Sequence, residues 1–267
     1  MPRAIEAPAI PDSGAPSWDT VFTAKIREGN ERFVPLSLAQ DHILVRPAYF
    51  VAGINGAVPE CYAREGIRQR LLKANSLLPK GMRLIILDTW RGKDVQTELF
   101  RRCAEALTKA YPDRDATEIE EMTSEFVARP SVDPTRPSPH STGGAVDLTI
   151  ATTDGAPLFF GAPFDYPGPV SNTRYFEEKL ERGEKLDDNE QAALKNRRLL
   201  YDVMIQSGFV NYHGEWWHFE YGTQRWAYVK GEDHAFYGVK RITMNSFEAF
   251  NNSRDSSEIV TLLSAGG

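Results

Sequence analysis

Cysteine is scarce in this chain, with only Cys61 and Cys103 among 267 residues. They form no CxxC pair and have no histidine at zinc-finger distance, which excludes a thiolate metal site and a scaffold stapled by several disulfides. Both are expected to be unpaired structural thiols, with a single disulfide as the alternative if the protein is exported. No apolar run approaches the roughly 20 residues that a membrane span requires, so no span is expected. Basic residues are not in excess either. Lys and Arg number 31 against 37 Asp and Glu, a net charge of -6, which argues against a nucleic-acid partner. The pairs Arg101-Arg102 and Arg197-Arg198 stand in mixed-sign helical patterns and read as solvated faces. Met1 to Ser17 is rich in Pro and Ala but lacks a basic region followed by an apolar run of signal-peptide length. As it stands, the chain is expected in the cytoplasm; a signal removed upstream would place it in the periplasm or outside the cell. Its oligomeric state is not legible.

What the chain does contain is an ordinary globular composition, 41% hydrophobic and 25% charged. No internal repeat or low-complexity linker divides it, so we expect one domain over residues 21–250, between a flexible N-terminal segment (1–20) and a C-terminal tail (251–267). Helical spacing runs through Ile67, Leu71, Leu72, Leu77 and Leu78, with Pro79 and Gly81 as a stop. Met82 to Leu87 reads as a buried strand that ends at Asp88-Thr89-Trp90-Arg91. A helix through Val95, Leu99, Cys103, Leu107 and Ala110 follows, then an acidic one over Thr117 to Val127. Pro130, Pro134, Pro137 and Pro139 enforce a loop. Gly144 to Ile150 reads as a strand, and Asp187-Asp188 opens a helix that Gly208 ends. Phe209 to Tyr212 and Trp216 to Tyr221 read as a strand pair. The fold class expected is α+β, a mainly antiparallel sheet flanked by helices.

Two segments carry chemistry. In Ser138-Pro-His140-Ser-Thr-Gly-Gly-Ala-Val-Asp147, a loop histidine precedes by seven residues an aspartate flanked by Val146 and Leu148. A carboxylate in an apolar strand needs compensation, which a divalent cation supplies. The second segment is Glu215-Trp-Trp-His218. Two histidines and one aspartate are the donor types and the number of protein ligands typical of a catalytic zinc site, with a position left for water. His140, Asp147 and His218 are therefore the candidate ligands of one zinc ion per chain. Residues three apart in an ideal strand face opposite ways, so Glu215 and His218 converge only if Gly214 or a bulge bends the chain between them. His42, His213 and His234 have no partner spacing for a ligand role.

These residues resemble the signature of the zinc peptidase family that includes the D-alanyl-D-alanine dipeptidases of vancomycin resistance. The resemblance covers roughly residues 49–221 and is strongest at Asp88-Thr-Trp-Arg91, Ser138 to Asp147, Phe164-Asp165 and Ser207 to His218. It implies a single zinc-peptidase domain, a peptidoglycan-related dipeptide substrate, and zinc held by His140, Asp147 and His218. It also implies Glu215 as general base and acid, and Arg91 as the group that stabilises the tetrahedral intermediate. Asp165 matches a residue placed near the substrate ammonium; Ser138 and Asp88 match positions that support the site, and Trp217 is expected in the pocket wall. The wider family also contains D,D-carboxypeptidases and endopeptidases that act on longer stem peptides, and a zinc-stabilised binding protein without catalysis is a third reading. The Asp-x-x-Arg and Phe-Asp segments favour the dipeptidase branch.

Overall fold

The computed structural model describes residues 7–39, 41–131 and 133–242. The tail expected over 251–267, and residues 243–250 of the expected domain, lie outside the described residues.

The sheet that carries the site has five strands, β1 (Leu44–Val45), β2 (Met82–Asp88), β3 (Ala145–Thr152), β4 (Val210–Asn211) and β5 (His218–Glu220). Their spatial order is β1-β2-β3-β5-β4, antiparallel except for the parallel pair β1-β2. β3 is central, and all its residues from Ala145 to Ala151 are buried, which is why its sequence is apolar on both faces apart from Asp147 and Thr149. Helices α1 (Glu65–Ser76) and α5 (Asp188–Gln206) pack together on one face. Ile67, Leu71 and Ala74 of α1 and Leu200, Val203 and Met204 of α5 join Leu84, Ile86, Val146, Leu148 and Ile150 in the main core. Helices α2 (Lys93–Ala110) and α3 (Ala116–Phe126) pair with each other beside the sheet. α3 and α5 each open with a capping box, Asp115 with Glu118 and Asp187 with Glu190, a device worth about 1 kcal/mol per helix. The architecture is α+β, as the residue pattern implied.

Four details differ from expectation. Within the Pro-rich loop, Pro139 occupies the first turn of a short helix, α4 (Pro139–Thr142), where a missing N–H costs nothing. The strand pair near the end is shorter than Phe209–Tyr212 and Trp216–Tyr221, because the backbone of Trp216 donates to Ser171 O rather than to β4 and Glu215 N–H turns back to Tyr212 O. Arg197 is not on a solvated face; it is 2% exposed and donates to the carbonyls of Phe160, Val170 and Asn172, and burial beside neutral acceptors lowers its pKa to about 9. Its hydrogen bonds fasten the segment that carries Asp165. Finally, the N-terminal segment is anchored at points while residues 11–15 stay exposed: Ala7 and Ile10 are buried, and the Ile10 N–H donates to Glu177. Trp18, in the short helix Trp18–Val21, lies against Tyr212 with ring centroids 5.7 Å apart.

Cys61 is buried, Cys103 is half-buried, and both are free thiols. Among the described residues, no helix is long and apolar enough to cross a membrane.

Candidate metal centre and active-site cavity

Strand register assembles the centre. Asp147 on β3 pairs with His218 on β5 on one side and with Asp88 at the end of β2 on the other, so three neighbouring strands present their polar residues in one row. His140 arrives from α4, which is pinned to the body of the domain. Arg64, with no exposed surface, donates through Nε to Thr142 O at 2.9 Å and through both terminal nitrogens to the Glu28 carboxylate at 2.9 Å. Gly143 ends α4 with φ 70°, and a Cβ there would lie 2.2 Å from the Phe33 ring, so both the conformation and the space require glycine.

His140 Nε2 and His218 Nδ1 are 3.2 Å apart, and the Asp147 carboxylate lies 3.3 Å from the first through Oδ2 and 3.0 Å from the second through Oδ1. Donors about 2.0–2.1 Å from a tetrahedral ion lie about 3.3 Å from one another, and the two imidazole nitrogens with the Asp147 carboxylate between them are spaced on that scale, with one ligand atom per residue all within 4.8 Å. The outward nitrogens support the same reading. His140 Nδ1 lies 2.6 Å from Thr89 O, and His218 Nε2 lies 3.2 Å from Glu220 Oε1. With hydrogens on those outer nitrogens, two lone pairs and a carboxylate converge on one point, an arrangement that a cation stabilises and that, without one, draws a proton onto an imidazole. The donor set thus fits zinc.

Charges around the centre are displaced as this crowding requires. Burial alone lowers the basicity of His218, but Asp147 and Glu220 on either side outweigh it and push its pKa up to about 10. Burial also acts to raise Asp147, yet the two imidazoles hold it well below the ordinary carboxylate value. Glu215 lies beyond the strand, its Oε2 3.7 Å from His218 Nδ1, and the low-dielectric surroundings raise its pKa. It reaches the centre because β5 starts only at His218 and the His218 N–H closes a turn onto Glu215 O at 3.3 Å. Gly214, expected as the bend, takes no positive φ; a Cβ there would lie 2.9 Å from the Tyr212 ring, so close approach is its local requirement.

A cavity of about 320 Å³ opens over the centre, lined by His140, Asp147, His218, Glu215, Arg91, Asp165, Ser138 and Trp217, among others. Arg91 is held by Asp88 Oδ2 at 2.8 Å and Gln96 Oε1 at 2.9 Å, lies 3.5 Å from Asp147 Oδ2, and sits 4.8 Å from the centroid of the Tyr49 ring. Asp165 adopts φ 62°, a left-handed conformation that costs a non-glycine residue about 1–2 kcal/mol. Trp217 is buried in the wall, edge-on to Phe164. Asp88 is not in the lining of this cavity; it lies behind Arg91 and His140, 2.8 Å and 3.2 Å from them. Residues that sequence reasoning passed over include Glu220, Thr89, Gln96, Tyr49 and Trp18. Only Glu220 left a signal, since it follows His218 by two positions and so shares its face of a strand.

Two imidazoles and a carboxylate around one point, with a second carboxylate and a guanidinium facing the same cavity, define a metallohydrolase-type site. The chain belongs to the D-ala-D-ala dipeptidase family (Peptidase_M15), whose sequence model matches residues 56–236. The D-alanyl-D-alanine dipeptidase of Synechocystis sp. is 32% identical over 117 residues, 42% of this chain and 47% of that protein. The D-alanyl-D-alanine dipeptidase of Escherichia coli is 33% identical over 141 residues, 52% of this chain and 55% of that protein. The chain therefore spans about half the length of these curated relatives. A solved structure of VanYB in complex with D-alanine-D-alanine covers 64% of this chain and 80% of its own, at 15% identity and a TM-score of 0.34, a similarity too distant for inference.

Proposed function

We propose that the protein hydrolyses D-Ala-D-Ala or a closely related dipeptide in a zinc-dependent reaction. The observation that carries this reading is the convergence of one ligand atom each from His140, Asp147 and His218 within 4.8 Å of one another, beside Glu215 and under one cavity with Arg91. Family membership supports the substrate class.

Zinc bound by these three residues supplies Lewis acidity, which makes water a nucleophile near neutral pH and polarises a carbonyl. Glu215 accepts the proton of the attacking water and passes it to the amide nitrogen as the C–N bond breaks, so one water is consumed and two amino acids leave. Its raised pKa suits both roles, since a carboxylate that takes up a proton more readily is the better base. Arg91 presents a fixed positive group to the carbonyl oxygen as it gains charge. Asp88 and Gln96 hold that guanidinium in place, so little reorganisation accompanies the reaction. Asp165 offers a carboxylate to the substrate ammonium at the cavity wall, and Ser138 and Trp217 complete the lining.

A panel of dipeptides of mixed chirality, assayed with zinc-loaded protein, tests the assignment. Cleavage of the D,D-dipeptide well above the L,L form is expected; preference for L,L-dipeptides contradicts it.

A further inference from the structure

His218 is engaged at both ring nitrogens. Nδ1 faces His140 and Asp147, while Nε2 lies 3.2 Å from Glu220 Oε1. Glu220 has no exposed surface, and the fold supplies three partners for its carboxylate. Oε1 accepts from Arg225 Nε at 3.0 Å as well as facing His218, and Oε2 accepts from the Thr223 hydroxyl. Arg225 is itself 2% exposed and lies between two aromatic rings, 4.2 Å from the centroid of Trp18 and 4.6 Å from that of Tyr212. The same outer arm occurs on the other histidine. His140 Nδ1 lies 3.2 Å from Asp88 Oδ2, the oxygen that accepts from Arg91 Nε. Each imidazole is thus backed by a carboxylate, and each carboxylate by an arginine. The His140 arm ends at the cavity in Arg91; the His218 arm ends in the buried Arg225.

An imidazole carries one hydrogen when neutral, and the carboxylate at Nε2 draws that hydrogen there. The lone pair then sits on Nδ1, aimed at the centre, and the charge behind the ring makes it a stronger donor. We infer that Glu220, paired with Arg225, is a positioning residue that fixes His218 as an Nδ1 metal ligand. The inference rests on the reading that His140, Asp147 and His218 hold zinc. A Glu220 that served only to neutralise Arg225 would influence folding but not the metal.

The test is zinc affinity of the full chain, measured by competition against a fluorescent chelator, for wild type, Glu220→Gln and Glu220→Asp. Glutamine keeps the size of the side chain and loses its charge; aspartate keeps the charge but withdraws it from Nε2. Both variants are expected to bind zinc about 10- to 100-fold more weakly, the usual consequence of removing such a partner. Imidazole ¹⁵N spectra of the zinc form should show the His218 hydrogen on Nε2 in wild type and a changed shift in Glu220→Gln. Affinity within about twofold of wild type in either folded variant overturns the inference, and two variants guard against one failing to fold. Absence of zinc binding by wild type is a separate result, which overturns the underlying metal reading and the inference with it.

Discussion

His140 Nε2 and His218 Nδ1 stand 3.2 Å apart, each with its other ring nitrogen directed at a buried oxygen acceptor. That relationship separates residues that hold metal from residues that do chemistry, and the separation can be measured. His140→Ala, Asp147→Ala and His218→Ala should each lose zinc, because two remaining protein ligands hold it poorly. Glu215→Ala should keep one zinc per chain while turnover falls at least about a hundredfold, the scale of a lost general base. Zinc content and kcat measured on the same preparations distinguish the two classes; parallel loss of both in Glu215→Ala would make Glu215 a ligand.

Arg91→Lys should retain zinc yet lose activity on the order of a hundredfold, as expected when a group that stabilises developing charge is displaced. A lysine ammonium cannot span Asp88 and Gln96 together, as the guanidinium does through Nε and Nη1. Near-normal kcat/KM for this variant would remove Arg91 from the reaction.

Asp165 sets a test of substrate length. Acetylating the amino terminus of D-Ala-D-Ala removes the charge that Asp165 is proposed to meet, and loss of a charged hydrogen bond alone is worth about 1.5–3 kcal/mol, or roughly ten- to a hundredfold. Asp165→Asn should therefore weaken cleavage of the free dipeptide much more than that of the acetylated one. Equal cleavage of free, acetylated and longer peptides by wild type would favour the carboxypeptidase reading instead.

Asp147 stood out in the sequence because its carboxylate lies between Val146 and Leu148, whereas His140, His218 and Glu215 were marked only by donor type, their combined pattern and the family resemblance. α1, α2, α3, α5, β2 and β3 were legible within a few residues, since helical spacing, capping residues and apolar runs are local signals. Arg197 was misread because its burial depends on carbonyls of a segment some 25 to 37 positions away, which no local pattern encodes. Trp18 and Gln96 enter the cavity by tertiary packing alone, and Asp88 turns behind Arg91 because β2 pairs with β3 through a register shift between Ile86 and Asp88.

Protonation of Glu28 should loosen the turn that carries His140. Burial pushes the Glu28 carboxyl up, but the Arg64 guanidinium and the backbone N–H groups of Gly238 and Asn30 outweigh it and hold the pKa below the ordinary 4.5. A pKa depressed on folding contributes stability that is present above about 4.5 and is lost as pH falls through the folded value. Urea unfolding of wild type and Glu28→Gln should differ most near neutrality and converge in acid. A difference that is constant with pH would mean that Glu28 acts through packing.

The central claim is that the metal centre drives hydrolysis of a D,D-dipeptide, and release of D-alanine from D-Ala-D-Ala tests it most directly. The measurement compares zinc-loaded protein, the same protein after chelation, and the chelated protein resupplied with zinc. The account predicts turnover in the first, none in the second and recovery in the third. Undiminished release of D-alanine by the metal-free protein, or no release by the fully zinc-loaded protein, would contradict it.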